Sequence, residues 1–282
     1  MFNVQFPPGV NVTGQQLALA GRLTDDLLLD SFHPKPTPSL ECHVASTIDD
    51  FLAIQDLRRL VFYADVEGEL EDEMPAYLYE ENRFDEHCDH LVIRDQSKGK
   101  IVASCRLQSG LRTLEGMEFS AAQEFDLEPL DRHCKETTEF SLMCLHPEYD
   151  SDTLLELLYQ GMLDYARHNK GRYLLGCVPL ESHDAAVGTA VFAALGRHHL
   201  ASLEWQTSPW LAWACPLCSM SATAAEYPQQ LRHHLARGAK ICAPPAIDRR
   251  FNTVSFLVMH DLEMRPVQST ATVISRPVLA DS

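Results

Sequence analysis

The residues Glu139–Leu158 read EFSLMCLHPEYDSDTLLELL, a short apolar strand, a turn at His146-Pro147 and a helix that begins near Asp152. A strand–turn–helix junction is where many α/β enzymes cradle a phosphate on free backbone N–H groups. Here the turn has no glycine and two aspartates flank the helix start, which opposes a pyrophosphate. Cys144 and His146 share a strand face and could form a nucleophile pair, but no third group orients the histidine, and an inert buried thiol is the simpler reading. Cys215-Pro-Leu-Cys218 with His233 and His234 suggests zinc, yet a structural site needs its second pair about three to five residues apart, so no metal is expected. Residues 67–89 hold ten acidic side chains against Arg83 alone. Residues 228–251 hold Arg232, Arg237, Lys240, Arg249 and Arg250 against Asp248, a candidate dock for an acidic partner.

The elements that must position these groups alternate along the middle of the chain. CHVAS reads as a strand. TIDDFLAIQDLRRLVFY reads as a helix capped by Thr47, with Phe51, Ile54, Leu57 and Val61 on one face. HLVIRD and IVASCRLQ form a hairpin through QSKGK. EFSLMCL is a strand followed by a helix over 152–168. RYLLGCVP is a strand and DAAVGTAVFAAL a helix. YPQQLRHHLARG is a helix that stops at Gly238, and TVSFLVMHDL is a closing strand. This order predicts an α/β fold, a mixed sheet covered by helices. The segment 200–218, with Trp205, Trp210, Leu211 and Trp213, is apolar enough for core or lid packing, or for an acyl-chain wall.

The 282 residues suit one large domain with extensions. Residues 1–40 read as an appended N-terminal extension, with a helix around Leu17, Ala20, Leu23 and Leu27 and a proline-rich linker. The domain runs over 41–264, and 265–282 is a polar tail. The formal charge of −17 disfavours nucleic acid, whose phosphates need clustered Lys and Arg. Nine cysteines, odd in number and irregular in spacing, predict thiols in a reducing compartment. No signal peptide is evident, and no apolar run approaches the roughly 20 residues of a membrane span. A cytoplasmic protein is expected, with surface contact to a membrane left open.

Several stretches together resemble one family. RFDEHCDHLVIRD with GKIVASCRL, EFDLEPL, TEFSLMCLHPEY, YLLGCVPLES and LARGAKICAPPAIDRRFNTVSFLVMHDL follow, in order and spacing over about residues 58–262, the pattern of the acyl-carrier-protein-dependent N-acyltransferases. These are of the ornithine-lipid and N-acyl amino acid synthase type, related to the acyl-homoserine-lactone synthases. The resemblance implies a GNAT-like acyltransferase fold with helices on both faces of a central sheet. It implies transfer of a fatty acyl group, possibly 3-hydroxylated, from the phosphopantetheine thioester of acyl carrier protein to the amine of an amino acid such as ornithine. Neither a bound cofactor nor a metal is implied. Coenzyme A is the weaker donor candidate, because its pyrophosphate would meet Asp150 and Asp152, whereas a carrier offers one phosphodiester.

By the same resemblance Glu139 is the base or amine-positioning group and Arg106 its charge partner or a substrate clamp. Asp85, Asp89 and His90 shape the amine side. Backbone N–H groups at Met143 and Cys144 would bind the oxyanion if the strand splays there. The basic stretch at 228–251 would meet the acidic carrier. Three positions depart from the pattern: Leu142 and Asp150 stand where the family has arginines, and Ala103 where it has glycine. The alternatives are a GNAT enzyme using acyl-coenzyme A on a small amine, and a non-catalytic module that binds acyl carrier protein or lipid.

Overall fold

A computed structural model describes residues 39–62, 84–180, 182, 184–216, 228–249 and 253–264. Chain contacts separate Met1–Ser39 from Leu40–Ser282, and the elements below all belong to the second unit. The expected helix and linker over 1–38, most of the acidic run, Cys218, Arg250 and the tail from 265 lie outside the described residues.

Eight strands form one mixed sheet: β1 (Leu40–Val44), β2 (Asp89–Asp95), β3 (Lys100–Ser109), β4 (Thr137–Leu145), β5 (Tyr173–Leu180), β6 (Lys240–Ile241), β7 (Ala246–Asp248) and β8 (Thr253–Asp261), in the order β1-β2-β3-β4-β5-β8-β6, with β7 also on β8. Among the described residues four α-helices accompany it: α1 (Ile48–Phe62), α2 (Ser151–His168), α3 (Ala185–His199) and α4 (Gln229–Ala236). Helices cover both faces, as the resemblance implies. Leu91, Ile93, Cys105 and Leu107 point into the core under α2, with Leu154, Leu158 and Met162, while Val92, Ile101 and Cys144 face α1 through Ile54 and Leu57. Alternation of side chains along a strand sends neighbours to opposite faces, and β3 is buried along nine of its ten residues because both faces are covered. Each fully buried aliphatic side chain in these layers stabilises the fold by about 1.5–3 kcal/mol.

The helix ends follow their sequence signals. Thr47 caps α1, its hydroxyl accepting the Asp50 N–H at 3.1 Å while Asp50 accepts the Thr47 N–H at 3.1 Å. Phe51 departs from its expected place: it is 42% exposed, and Arg58 takes a buried position on that side of the helix instead. After α4 the chain turns at Gly238, φ 86°, and the Ala239 N–H reaches the His234 carbonyl at 3.1 Å. The two-residue β6, the three-residue β7 and the 3-10 turns over 110–136 carry too little periodicity to be read in advance.

The feature that positions a site is the gap between β4 and β5. These strands pair in parallel only from Thr137↔Tyr173 to Phe140↔Gly176. Beyond that point β4 stays with β3 and β5 with β8, so the sheet splits. Gly176 sits at the fork because a Cβ there would lie 2.4 Å from the Phe140 carbonyl oxygen. Just past the fork β4 bulges. Ser104 pairs with Cys144 and Arg106 with Ser141, so Leu142 and Met143 together oppose Cys105. Leu142 has φ 45°, a costly conformation for a branched side chain.

Candidate active site

On the α1 side of the sheet, beside the bulge, lies a group of polar side chains, most of them buried. His90, Arg106 and Gln108 come from β2 and β3, Glu139 and Ser141 from β4, Arg58 from α1 and Asp85 from the turn before β2. Asp85 holds them together. Its carboxylate accepts Arg58 Nη1 at 2.5 Å and Nη2 at 3.3 Å, faces His90 Nε2 at 3.1 Å and lies 3.4 Å from Arg106 Nη1. Burial alone would raise its pKa, but the His90 hydrogen bond and the Arg58 guanidinium hold it well below the usual carboxylate range. Arg106, 1% exposed, also donates from Nε to Ser141 Oγ at 2.9 Å and lies over the Phe84 ring.

Glu139 is 2% exposed and pairs with Gln108 across the ladder. Its two oxygens accept the backbone N–H groups of Ser120 and Ala121 at 2.8 and 2.7 Å. Burial pushes its pKa upward, opposed by those two N–H groups and by the charge of Arg106. That direction suits a proton acceptor, and each carboxylate oxygen retains a second lone pair.

The structure brings together Arg106, Glu139, Asp85 and His90. Asp89 lies apart, its carboxylate accepting the Tyr165 hydroxyl at 2.6 Å and standing 3.6 Å from Arg112. Met143 packs into the α2-side core, and Cys144 is fully buried on the α1 side with its thiol pushed up to about 12 by burial. Their backbone lies beyond the fork, where β4 has no pairing to β5 among the described residues. His146 pairs instead with Lys100, whose Nζ lies 2.7 Å from its Nε2.

The basic stretch is dispersed. Arg237 binds Glu156 and covers the Tyr159 ring, and Arg232 shares a cleft with it. Lys240 reaches the His198 carbonyl at 3.1 Å and Arg249 the Ala212 carbonyl at 2.7 Å, each a separate local tie. Sequence reasoning missed Arg58, 4% exposed. Its signal was present: a charge one turn beyond Ile54, within the apolar stripe of α1.

At the β4–α2 junction Asp150 is the helix cap, accepting the Thr153 N–H at 2.9 Å and its hydroxyl at 2.5 Å. Gln229 of α4 bonds Ser151 Oγ at 2.8 Å and Asp152 at 2.7 Å. This helix start therefore carries its own anion and a cover from the chain. Of the apolar 200–218 segment, Trp205 is buried between His133 and Tyr173, whereas Leu203 and Leu211 are 85% and 94% exposed. No helix among the described residues is long and apolar enough to cross a membrane.

The acetyltransferase (GNAT) domain model matches residues 57–160. The chain is 26% identical over 239 residues to an L-ornithine N(alpha)-acyltransferase of Brucella abortus, covering 80% of this chain and 85% of that one. It is 27% identical over 235 residues to an L-ornithine N(alpha)-acyltransferase of Agrobacterium fabrum, covering 78% and 80%. Among solved structures, an acetyltransferase of Salmonella typhimurium with acetyl-CoA has a TM-score of 0.41 at 12% identity, over 82% of this chain and 99% of that chain. A CoA-dependent acyl-homoserine lactone synthase has 0.42 at 14%, over 79% and 83%. With the domain match spanning α1 to the first half of α2 and the relatives spanning four-fifths of the sequence, the chain carries a GNAT domain, resembles the L-ornithine Nα-acyltransferases and is an N-acyltransferase.

Proposed function

We propose that the protein transfers a fatty acyl group from acyl carrier protein to the amine of an amino acid such as ornithine, forming an N-acyl amino acid of the lyso-ornithine-lipid kind. The observation that carries this reading is the buried Arg58–Asp85–Arg106–His90 group with Glu139 beside the bulge of β4. An amino-acid acceptor brings a carboxylate and an amine. Two arginines held rigidly by one aspartate suit the carboxylate, and a buried carboxylate of raised pKa suits the ammonium proton. The thioester enters the β4–β5 fork from the opposite face. Backbone N–H groups of Met143 and Cys144 then stabilise the oxyanion as the amine attacks, and the pantetheine sulfur leaves when the tetrahedral intermediate collapses, taking up the second proton shed by the nitrogen to depart as a thiol. Water is kept out by the apolar layers on both sides.

A carrier-bound donor is favoured over coenzyme A by the capped start of α2, where Asp150 and Asp152 would face a pyrophosphate. A lipid-like product must be released to a membrane surface, which is consistent with peripheral contact there.

The test is mass spectrometry of lipid extracts from cells expressing the protein or its Glu139→Gln variant, which removes the charge and keeps the shape. A new N-acyl amine with the wild type, absent with the variant, identifies amine and chain length together. Absence of any product from folded wild-type protein would sink the enzymatic reading and favour a carrier- or lipid-binding module. A product that persists in the variant would remove Glu139 from the chemistry.

A further inference from the structure

Between the first half of α2 and α4 lies a cleft of about 550 Å³ lined by Asp152, Glu156, Gln229, Arg232, His233 and Arg237. Most of its polar groups are satisfied. Asp152 accepts from Gln229, and Glu156 accepts from Arg237 and from Gln160 at 2.9 Å. Two donors are not. The Arg232 side chain makes no ion pair or hydrogen bond with the described residues. The His233 side chain is only 7% exposed, yet its Nε2 has no hydrogen-bond partner. That nitrogen stands 3.6 Å from Glu156 Oε2, beyond hydrogen-bond distance, in the wall of the cleft. A buried donor without a partner is costly, and such a group in a lined cleft calls for a ligand that accepts.

The cleft also sets the ligand's charge. Its two arginines are balanced by two carboxylates, and Asp150 caps the adjoining helix start. That balance tolerates a single phosphate and disfavours the more heavily charged pyrophosphate and 3′-phosphate of coenzyme A. The inner wall leads to the fork: His234, next in sequence, stacks on Phe140 with ring centroids 4.8 Å apart, and Phe140 is the last β4 residue paired with β5.

We propose that this cleft receives the single phosphate of the donor's pantetheine arm, held by Arg232 and by Nε2 of His233, with side chains replacing the helix-terminus cradle that Asp150 and Gln229 close. This rests on the proposed pantetheine thioester donor and names where its phosphate binds. Guanidinium–phosphate pairing supplies geometry as well as charge, and an arginine already exposed at the rim can close on the ligand without disturbing the core.

Calorimetric titration of the full chain with pantetheine, 4′-phosphopantetheine and coenzyme A tests it. The phosphate should tighten binding by about tenfold or more over pantetheine, the size of charge-assisted hydrogen bonds. Arg232→Ala, a surface change, should erase that increment and leave pantetheine binding unchanged. His233→Phe should reduce it, and His233→Gln, which keeps a donor, should retain part of it. Equal binding of the two pantetheine compounds by the wild type, or an increment that survives Arg232→Ala, overturns the phosphate site alone. Coenzyme A binding more tightly than 4′-phosphopantetheine overturns the single-phosphate argument. No binding of any of the three takes down the site and the donor reading beneath it.

Discussion

Replacing Asp85 by Asn removes an anion that Arg58, His90 and Arg106 share. Arg58 and Arg106 side chains are 5% and 1% exposed and Asp85 is 15% exposed, so the loss is felt in a nearly dry environment. Breaking a buried ion pair by deleting one partner costs about 3–5 kcal/mol, because the remaining charge is left uncompensated. Asn keeps one acceptor oxygen, which places the expected loss near 3 kcal/mol. For a domain of this size that lowers the melting temperature by roughly 6–12 °C. The pH dependence has a definite sign. The folded pKa of Asp85 is depressed, so its contribution is complete above the unfolded value of about 3.9 and is lost as pH falls below it. Urea denaturation of wild type and variant from pH 7 down to pH 3 should therefore show a gap that narrows with acid. The Arg58→Met, Asp85→Asn double variant should lose less than the sum of the single losses, since the second change removes a charge already stranded. A loss under about 1 kcal/mol, typical of an exposed pair, or strict additivity in the double variant, would refute the picture of a coupled buried group.

Further outcomes follow from the same coordinates. Gly176→Ala puts a Cβ 2.4 Å from the Phe140 carbonyl oxygen, and should cost about 1–3 kcal/mol in denaturant melts and impair acyl transfer by forcing the fork apart. Leu158→Ala empties a fully buried site under β2–β4 and should cost about 2–5 kcal/mol with the acyl-transfer KM unchanged in the remaining folded protein. Asp150→Ala frays the start of α2 but exposes its N–H groups, so coenzyme A should bind more tightly to the variant; calorimetry showing weaker or unchanged binding would remove the capped helix start as a reason for donor choice. Burial, with the neighbouring His260, His233 and Arg237, lowers His234 well below its ordinary value, and burial with Arg237 brings His233 to about 4. Unfolding therefore takes up protons below the unfolded value of about 6.5, and stability should fall between about pH 6.5 and 4 by up to about 1.4 kcal/mol per pH unit per histidine, a slope that His234→Phe should flatten.

Much of the fold was legible because the signals are local. The alternating HLVIRD and IVASCRL runs, the Thr47 cap and the Gly238 stop each act within one turn or one hairpin, and the elements they specify are present. The order of strands and helices implied a mixed sheet covered on both sides. The residues that carry the candidate site were legible as types in a pattern: Asp85 and His90 before one strand, Arg106 on the next, Glu139 on the third. Their meeting was not, because it depends on the register of three strands and on which helix crosses them. Register placed Arg106 opposite His90 on one side and Ser141 on the other, so among the described residues it pairs with Asp85 and not with Glu139, whose oxygens are held by a 3-10 turn that no periodicity announced. Packing put Arg58 inside and Phe51 outside, against the simple apolar stripe, because a buried carboxylate offers an arginine more than an apolar wall does. The basic stretch at 228–251 looked like one patch in sequence, but a helix, a glycine turn and two short strands send its charges to different neighbours. The sequence by itself determined the elements, their caps and the kinds of groups available. The tertiary structure alone decided the split between β4 and β5, the bulge beside it and the cleft between α2 and α4, since each depends on how segments far apart in sequence pair or pack together.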